Sequence, residues 1–97
     1  MTLNQIITHP QHGRGIITFQ SDDNAWTVYR VVFRDSRVVY EGTRQYLLAV
    51  GVRETTEALK LPVFRDRLNG HNRASGVGTD ERAARQALRK MELEAVA

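Results

Sequence analysis

The side chains of this sequence that could bind a metal ion are its histidines, His9, His12 and His71. A protein metal site needs three or four ligands, and its imidazoles are normally oriented by neighbouring carboxylates. His9 and His12 are close in sequence, but His71 is distant, and no Asp or Glu accompanies them at ligand spacing. The absence of cysteine also removes thiolate sites and disulfides. The sequence therefore predicts no metal site and no cofactor.

A second short motif, Gly13-Arg14-Gly15, could be considered as a phosphate-binding loop. A phosphate-binding loop has a longer glycine-rich run that opens a helix. Here the β-branched and aromatic residues 16–19 follow, so the glycines favour a sharp turn in which one residue adopts a positive φ. No serine lies in the context of a nucleophile elbow, and the acidic residues are scattered. We predict a protein that is not an enzyme.

Aromatic residues and arginines surround the polar stretch at residues 21–24. Trp26 and Tyr29 follow this stretch, and Arg14 and Arg30 could lie near them. Aromatics interleaved with arginines can stack on bases and neutralise phosphates. The alternative is core packing of at least one aromatic, with Trp26 covering one end of a small core, because large aromatics dominate such cores. We take all four residues as candidate partner-binding residues.

A second set of candidates lies near the carboxyl end. Arg82, Arg85 and Arg89, extended by Lys90, form a stripe on a predicted helix and could contact a nucleic-acid backbone or an acidic partner. The alternative is a solvated helix face on which Glu81 pairs with Arg85 at i, i+4. Either arrangement leaves the three arginines as candidate partner-binding residues.

Length and charge limit the possible classes of protein. The chain has 97 residues, which suits one small domain, or one small domain with a helical appendage. Its formal net charge of +3 permits contact with nucleic acid or an acidic surface, but 11 acidic residues dilute the positive charge. No apolar run reaches the ~20 residues that span a bilayer, and the amino-terminal residues lack the pattern of a secretory signal. We expect a soluble cytoplasmic protein without membrane contact.

The first half of the sequence, residues 1–51, is rich in β signals. Short apolar or β-branched runs predict strands at 6–7, 16–19, 26–33 and 37–41, while 46–50 fits either a fifth strand or a helical turn. Alternation within the strongest strand puts Tyr29, Val31 and Phe33 on one face and Val32 on the other. We therefore expect Ile7, Ile17, Val31 and Phe33 to share one core.

The second half, residues 52–97, predicts helices. Residues 53–61 fit a short helix, and Pro62 suits the start of another helix that ends at Asn69-Gly70. Residues 71–78 have no periodicity and predict a mobile loop. A final helix is expected from a cap at Thr79 or Asp80 to about residue 93, with Ala84, Leu88 and Met91 on an apolar stripe.

The glycine turn and its flanking strands together resemble a Tudor-like module. The likeness is to the C-terminal module of UvrD/PcrA-type helicases and to the RNA-polymerase-interacting domain of CarD and transcription-repair coupling factors. The residues that match the pattern are Ile7, His9, Gly13, Gly15, Ile17, Val31, Phe33, Val39 and Leu47. His12 stands where that family usually has an aromatic residue, and the likeness covers only the first half of the chain.

The resemblance implies a small N-terminal Tudor/SH3-like β-barrel over 1–51. With the helices predicted for residues 52–97, we expect an α+β fold in which two or three C-terminal helices follow the barrel. It also implies a non-enzymatic adaptor or regulator that docks onto a protein component of a nucleic-acid-processing machine, such as RNA polymerase or a helicase–nuclease. Such a protein would act in transcription regulation, DNA repair or recombination, and its small size suggests a phage or another mobile element as its source. The alternative is a direct DNA- or RNA-binding protein that uses the aromatic and arginine candidates.

Overall fold

The computed structural model describes residues 1–23, 26–67 and 75–96. In chain order the elements are β1 (Gln5–His9), β2 (Gly13–Ser21), β3 (Val28–Phe33), β4 (Val39–Thr43), α1 (Arg44–Ala49), β5 (Arg53–Ala58), β6 (Phe64–Arg67), β7 (Ser75–Gly78) and α2 (Glu81–Val96). All strand pairs are antiparallel, and the main order across the sheet is β4-β3-β2-β1-β5. Strand β7 pairs with β2 and with β6.

Strand β2 is long enough to pair with two different strands along one of its edges. Its first half pairs with β1, where Ile6 lies opposite Ile16, and its last three residues pair with β7. A β-bulge separates the two halves, because the register with β3 shifts between Ile17 and Phe19. Such a bulge bends a strand and breaks the regular alternation of its ladder. The sheet therefore splits beside β2 into one branch, β1 and β5, and another, β7 and β6.

Side chains on the two faces of the sheet form two separate cores. The first core contains Ile7, Ile17, Tyr29, Val31, Phe33, Leu47 and Val52. The second core contains Ile6, Ile16, Val32, Ala84 and Leu88, and it lies between the sheet and α2. The expected common core of Ile7, Ile17, Val31 and Phe33 is confirmed, as is the position of Val32 on the opposite face. Strict alternation along a strand produces this division.

Both helices begin at side-chain caps. The Thr43 hydroxyl accepts a hydrogen bond from the Tyr46 backbone N–H at 3.3 Å, which starts α1 and selects the helical alternative for residues 46–50. The Asp80 carboxylate accepts from the Ala83 N–H at 3.1 Å and caps α2. Satisfying an otherwise unpaired N–H in this way stabilises a helix by ~1 kcal/mol. The predicted cap of the final helix is confirmed at Asp80.

The predicted α+β fold, a small barrel followed by two or three C-terminal helices, is wrong. Antiparallel strands are the dominant secondary structure of the described residues, and α2 is the one described helix after residue 52. Strands β5 and β6 occupy positions predicted to be helical, and β7 covers residues 75–78 of the predicted loop. Residues 68–74, which include the predicted cap at Asn69-Gly70 and the rest of that loop, lie outside the described residues.

Pairing with β1 explains why residues 53–58 form a strand. The Thr55 hydroxyl donates to the Ile6 carbonyl at 2.7 Å, and the Gln5 side-chain amide donates to the Thr55 carbonyl at 2.9 Å. These contacts reach across about fifty residues of sequence. Helix propensity differs by only a few tenths of a kcal/mol among ordinary residues, so long-range pairing overrides it.

Candidate interaction surface

Trp26 lies between β2 and β3, and hydrogen bonds tie it and the two residues after it to the end of β2 and to Asp23. Its backbone N–H donates to the Asp23 carboxylate at 3.2 Å, and the Thr27 hydroxyl donates to the Asp23 carbonyl at 2.6 Å. The next residue, Val28, donates its N–H to the Ser21 hydroxyl at 2.8 Å. The Trp26 side chain is nevertheless 69% exposed. Trp26 therefore presents a large aromatic ring to solvent, while its own backbone N–H and the two residues that follow it are held by hydrogen bonds.

An ion pair joins this loop to the strands at the far branch of the sheet. Two guanidinium nitrogens of Arg65, on β6, lie 3.0 and 2.6 Å from the two carboxylate oxygens of Asp22. The Asp22 N–H also donates to the Ser75 carbonyl on β7 at 2.9 Å. The hydrogen bond from Arg65 lowers the pKa of Asp22, and the same contact raises the pKa of Arg65. Because both side chains are largely exposed, the pair fixes orientation more than it adds stability.

Two exposed apolar side chains lie at the start of β6. Val63 is 53% exposed and Phe64 is 46% exposed. Strand β6 pairs with β7 along one edge, and its other edge has no partner among the described strands. We call Trp26, Val63, Phe64 and the free edge of β6 the loop–hairpin surface. Unpaired strand edges with apolar neighbours are suited to adding a strand from another protein.

Two of the sequence candidates have internal partners instead. Tyr29 is buried in the first core, and its hydroxyl donates to the Met1 carbonyl at 3.1 Å. The Arg30 Nε atom lies 3.2 Å from the Glu41 carboxylate and 3.0 Å from that of Glu81. The angles make these contacts ion pairs rather than directed hydrogen bonds. Arg30 therefore connects β3 to both β4 and α2, and Glu81 pairs with it rather than with Arg85.

The other candidate arginines differ in accessibility. Arg82 and Arg89 are exposed on α2, whereas Arg85 is half-buried and its Nε donates to the Phe33 carbonyl at 3.2 Å. Arg14 is half-buried on β2, and its carbonyl accepts from the Arg34 N–H at 3.1 Å. Trp26, Arg82 and Arg89 are thus the candidates that the structure leaves exposed.

His9 has a structural role at the turn between β1 and β2. It is 6% exposed, and its Nδ1 accepts from the backbone N–H groups of Gln11 at 3.0 Å and His12 at 3.3 Å. Because Nδ1 accepts, the ring proton lies on Nε2, which donates to the Val50 carbonyl at 2.8 Å. Both nitrogens are therefore occupied by backbone groups. Gly51, with φ of 109°, fits against this ring where a Cβ would lie only 2.8 Å from Nε2.

His12 belongs to a cluster of rings beside the turn. Its ring centroid lies 4.6 Å from that of His9 and 5.2 Å from that of Phe33, and its Nε2 is 3.4 Å from the Tyr40 hydroxyl. Within residues 1–23, 26–67 and 75–96, no group of three or more His, Cys, Asp or Glu side chains could hold a metal ion. No helix in that part of the chain is long and apolar enough to cross a membrane.

Sequence reasoning found Trp26 but missed Val63, Phe64 and the Asp22–Arg65 pair. The signal for an edge strand was present, since Pro62 precedes a valine and a phenylalanine, but the same proline also suits the first turn of a helix. Comparison with family models, curated proteins and solved structures finds no match to this chain. The resemblance to Tudor-like modules therefore remains a prediction from the motif residues.

Proposed function

We propose that this protein is a non-enzymatic cytoplasmic adaptor that docks onto a protein component of a DNA- or RNA-processing machine. The observation that carries the proposal is the exposed Trp26 ring, because the Trp26 N–H and the neighbouring residues Thr27 and Val28 are held by hydrogen bonds. An aromatic side chain loses little conformational entropy on binding when its backbone is already ordered. Tryptophan is also one of the residue types whose truncation most often causes a large loss of binding free energy in protein interfaces.

The charges around Trp26 favour a protein partner over nucleic acid. Asp22 and Asp23 precede the tryptophan in its loop, and the nearby Arg65 is neutralised by Asp22. The Arg65 guanidinium is therefore not available to a phosphate group, and two further candidate arginines, Arg30 and Arg85, are engaged within the fold. Protein–nucleic acid affinity depends mainly on cationic side chains that reach phosphates. The loop–hairpin surface lacks that arrangement.

The kind of machine is proposed from the resemblance of the glycine-turn motif to helicase-associated and polymerase-binding modules. Docking would use the free edge of β6 and the apolar side chains beside it. The exposed residues Arg82 and Arg89 of α2 would form a second contact with an acidic patch of the same partner. Arg85 is left out of this contact because it supports the carbonyl of Phe33.

The test compares Trp26→Ala with Val38→Ala, a control at a 36% exposed valine on the β3–β4 connection. Each immobilised protein captures partners from an extract of the source cell, and the captured protein is then purified and titrated directly. We expect the wild type and the control to bind a component of a nucleic-acid-processing complex with sub-micromolar affinity. Losing a tryptophan at the centre of an interface costs about 2 kcal/mol or more, or roughly thirtyfold in Kd.

Two outcomes would contradict the proposal. Equal capture by Trp26→Ala and wild type would remove the loop–hairpin surface from the interface. Nanomolar binding to isolated duplex or single-stranded DNA near physiological salt, steeply weakened by added salt and by the Arg82→Glu/Arg89→Glu double variant, would show a direct nucleic-acid binder instead. Circular dichroism of each variant confirms that the fold is retained before binding is compared.

A further inference from the structure

Three arginines meet where β2 begins and β3 ends. The Arg34 backbone N–H donates to the Arg14 carbonyl at 3.1 Å, and the Arg85 Nε, on α2, donates to the Phe33 carbonyl at 3.2 Å. The donating N–H of Arg34 and the accepting carbonyl of Phe33 belong to one peptide unit. The Arg85 Nε therefore lies at most about 9 Å from the Arg14 carbonyl oxygen, since a single peptide unit separates the two hydrogen bonds.

The Arg14 side chain lies on the face of the sheet that α2 covers. Arg14 and Ile16 are two positions apart on β2, ahead of its bulge, and Ile16 belongs to the second core between the sheet and α2. Side chains two positions apart on a strand share a face. Because Arg85 reaches the Phe33 carbonyl from α2, the Arg14 and Arg85 side chains belong to the same side of the sheet.

The guanidinium groups of Arg14 and Arg85 are left without a carboxylate among the described residues. Both arginines are half-buried, and neither forms an ion pair with a carboxylate whose position the structure describes. Arg34 differs, because its Nε donates to the Asp35 carboxylate at 2.7 Å. A guanidinium has five N–H donors, and the Phe33 carbonyl takes one of those of Arg85. Like charges held close together repel each other, so the pair favours a bound anion.

A phosphate group on a nucleic-acid strand suits this end of the sheet. Guanidinium groups match the oxygens of phosphate, and phosphate contacts supply much of the affinity of proteins for nucleic acid. Two half-buried ring residues, His12 and Tyr40, lie at the same end with their ring centroids 6.0 Å apart, and His12 is two positions before Arg14. Rings beside guanidinium groups suit a ligand that carries bases as well as charges, since bases stack on aromatic side chains. An acidic peptide supplies only the charges.

We propose that Arg14 and Arg85 bind a phosphate group of a nucleic-acid strand at this end of the sheet. The contact is separate from the loop–hairpin surface, because Arg14 lies at the start of β2 whereas Trp26 follows the end of that strand. The affinity is weak, because affinity grows with the number of phosphates that are neutralised and two arginines neutralise few. The inference goes beyond the proposed function and does not depend on it, since the strand binds without the protein partner.

The test follows the side-chain Nε–Hε NMR signals of Arg14 and Arg85 while the whole chain is titrated with a short oligothymidylate near physiological salt. We expect both signals to move, with a Kd in the micromolar range. Arg14→Gln should weaken binding roughly fivefold, the effect of one lost hydrogen-bonded contact. The slope of log Kd against log salt concentration should also fall by about one, because one fewer phosphate is neutralised.

Lys60→Gln is the matched control, because it removes the same charge from an exposed residue at the other end of the sheet. Its neighbour Leu59 donates to the Asn4 carbonyl just before β1, whereas Arg14 lies opposite Thr8 near the end of β1. Lys60→Gln should leave the salt slope unchanged. Trp26→Ala should bind the oligonucleotide as the wild type does, and a loss of binding there would move the strand to the loop–hairpin surface and overturn the proposal.

The proposal is wrong if neither arginine signal moves, or if Arg14→Gln weakens binding no more than Lys60→Gln does. Inorganic phosphate that moves both signals at the concentrations effective for the oligonucleotide would show a site for the free anion instead of a strand. An oligoglutamate of equal charge that binds as tightly would show an acidic protein segment as the ligand. If Arg14→Gln does not fold, the titration of the wild type with these three ligands decides the question.

Discussion

Phe33 should be among the most costly residues of this protein to truncate. Its side chain is fully buried in the first core, and its ring lies 5.2 Å from that of His12, 5.8 Å from that of His9 and 6.0 Å from that of Tyr40. Replacing a buried phenylalanine by alanine costs about 3–5 kcal/mol. Lost aromatic pairs add roughly 0.5–1.5 kcal/mol each. Domains of this size are stable by only about 5–15 kcal/mol, so Phe33→Ala should be close to unfolding.

The measurement is urea denaturation of Phe33→Ala followed by far-ultraviolet circular dichroism. Fluorescence is a poor probe because Trp26, the one tryptophan of the sequence, is already 69% exposed in the folded protein. Phe64→Ala is the matched control: the same substitution at a 46% exposed site should cost less than ~1 kcal/mol. A loss below ~1.5 kcal/mol at Phe33, or equal losses at both sites, would refute the reasoning that the first core depends on this ring.

Three further predictions concern residues whose contacts stabilise the fold. Gly51→Ala should lower the midpoint of thermal unfolding by several degrees, because residue 51 has φ of 109° and an added Cβ would lie against the His9 ring. An unchanged midpoint would contradict this prediction. The pKa of Glu54 is lowered by its hydrogen bond to the Met1 ammonium, so Glu54 stabilises the protein above about pH 4.5 and loses this effect as the pH falls. Glu54→Gln should therefore be less stable than wild type at pH 7, and urea titrations should show the difference shrinking below pH 4.5. Arg85→Glu should destabilise the protein by about 1–3 kcal/mol because it removes the donor to the Phe33 carbonyl, while Arg82→Glu on the exposed face should stay within about 0.5 kcal/mol.

Local patterns predicted the centre of the sheet. Alternation along residues 28–33 assigned Phe33 and Val32 to opposite faces, and both assignments are confirmed. The sequence also predicted the turn at Gly13, which has φ of 77°, and the cap at Asp80. Each of these features depends on only a few neighbouring residues. The site was predicted less well: Trp26 was a candidate, but which of the two aromatics would be buried was left open.

The sequence by itself determined the strand periodicity of the first core, the amphipathic face of α2 and the absence of thiol chemistry, since these depend on residue type and short spacing. Only the tertiary structure decided that residues 53–58 pair with β1, that Tyr29 is buried while Trp26 is exposed, and that Arg30 faces Glu41 and Glu81. Each of these outcomes depends on contacts between segments distant in sequence. Propensity and periodicity carry no information about such contacts, and their energies exceed the small local preferences that favoured a helix after residue 52.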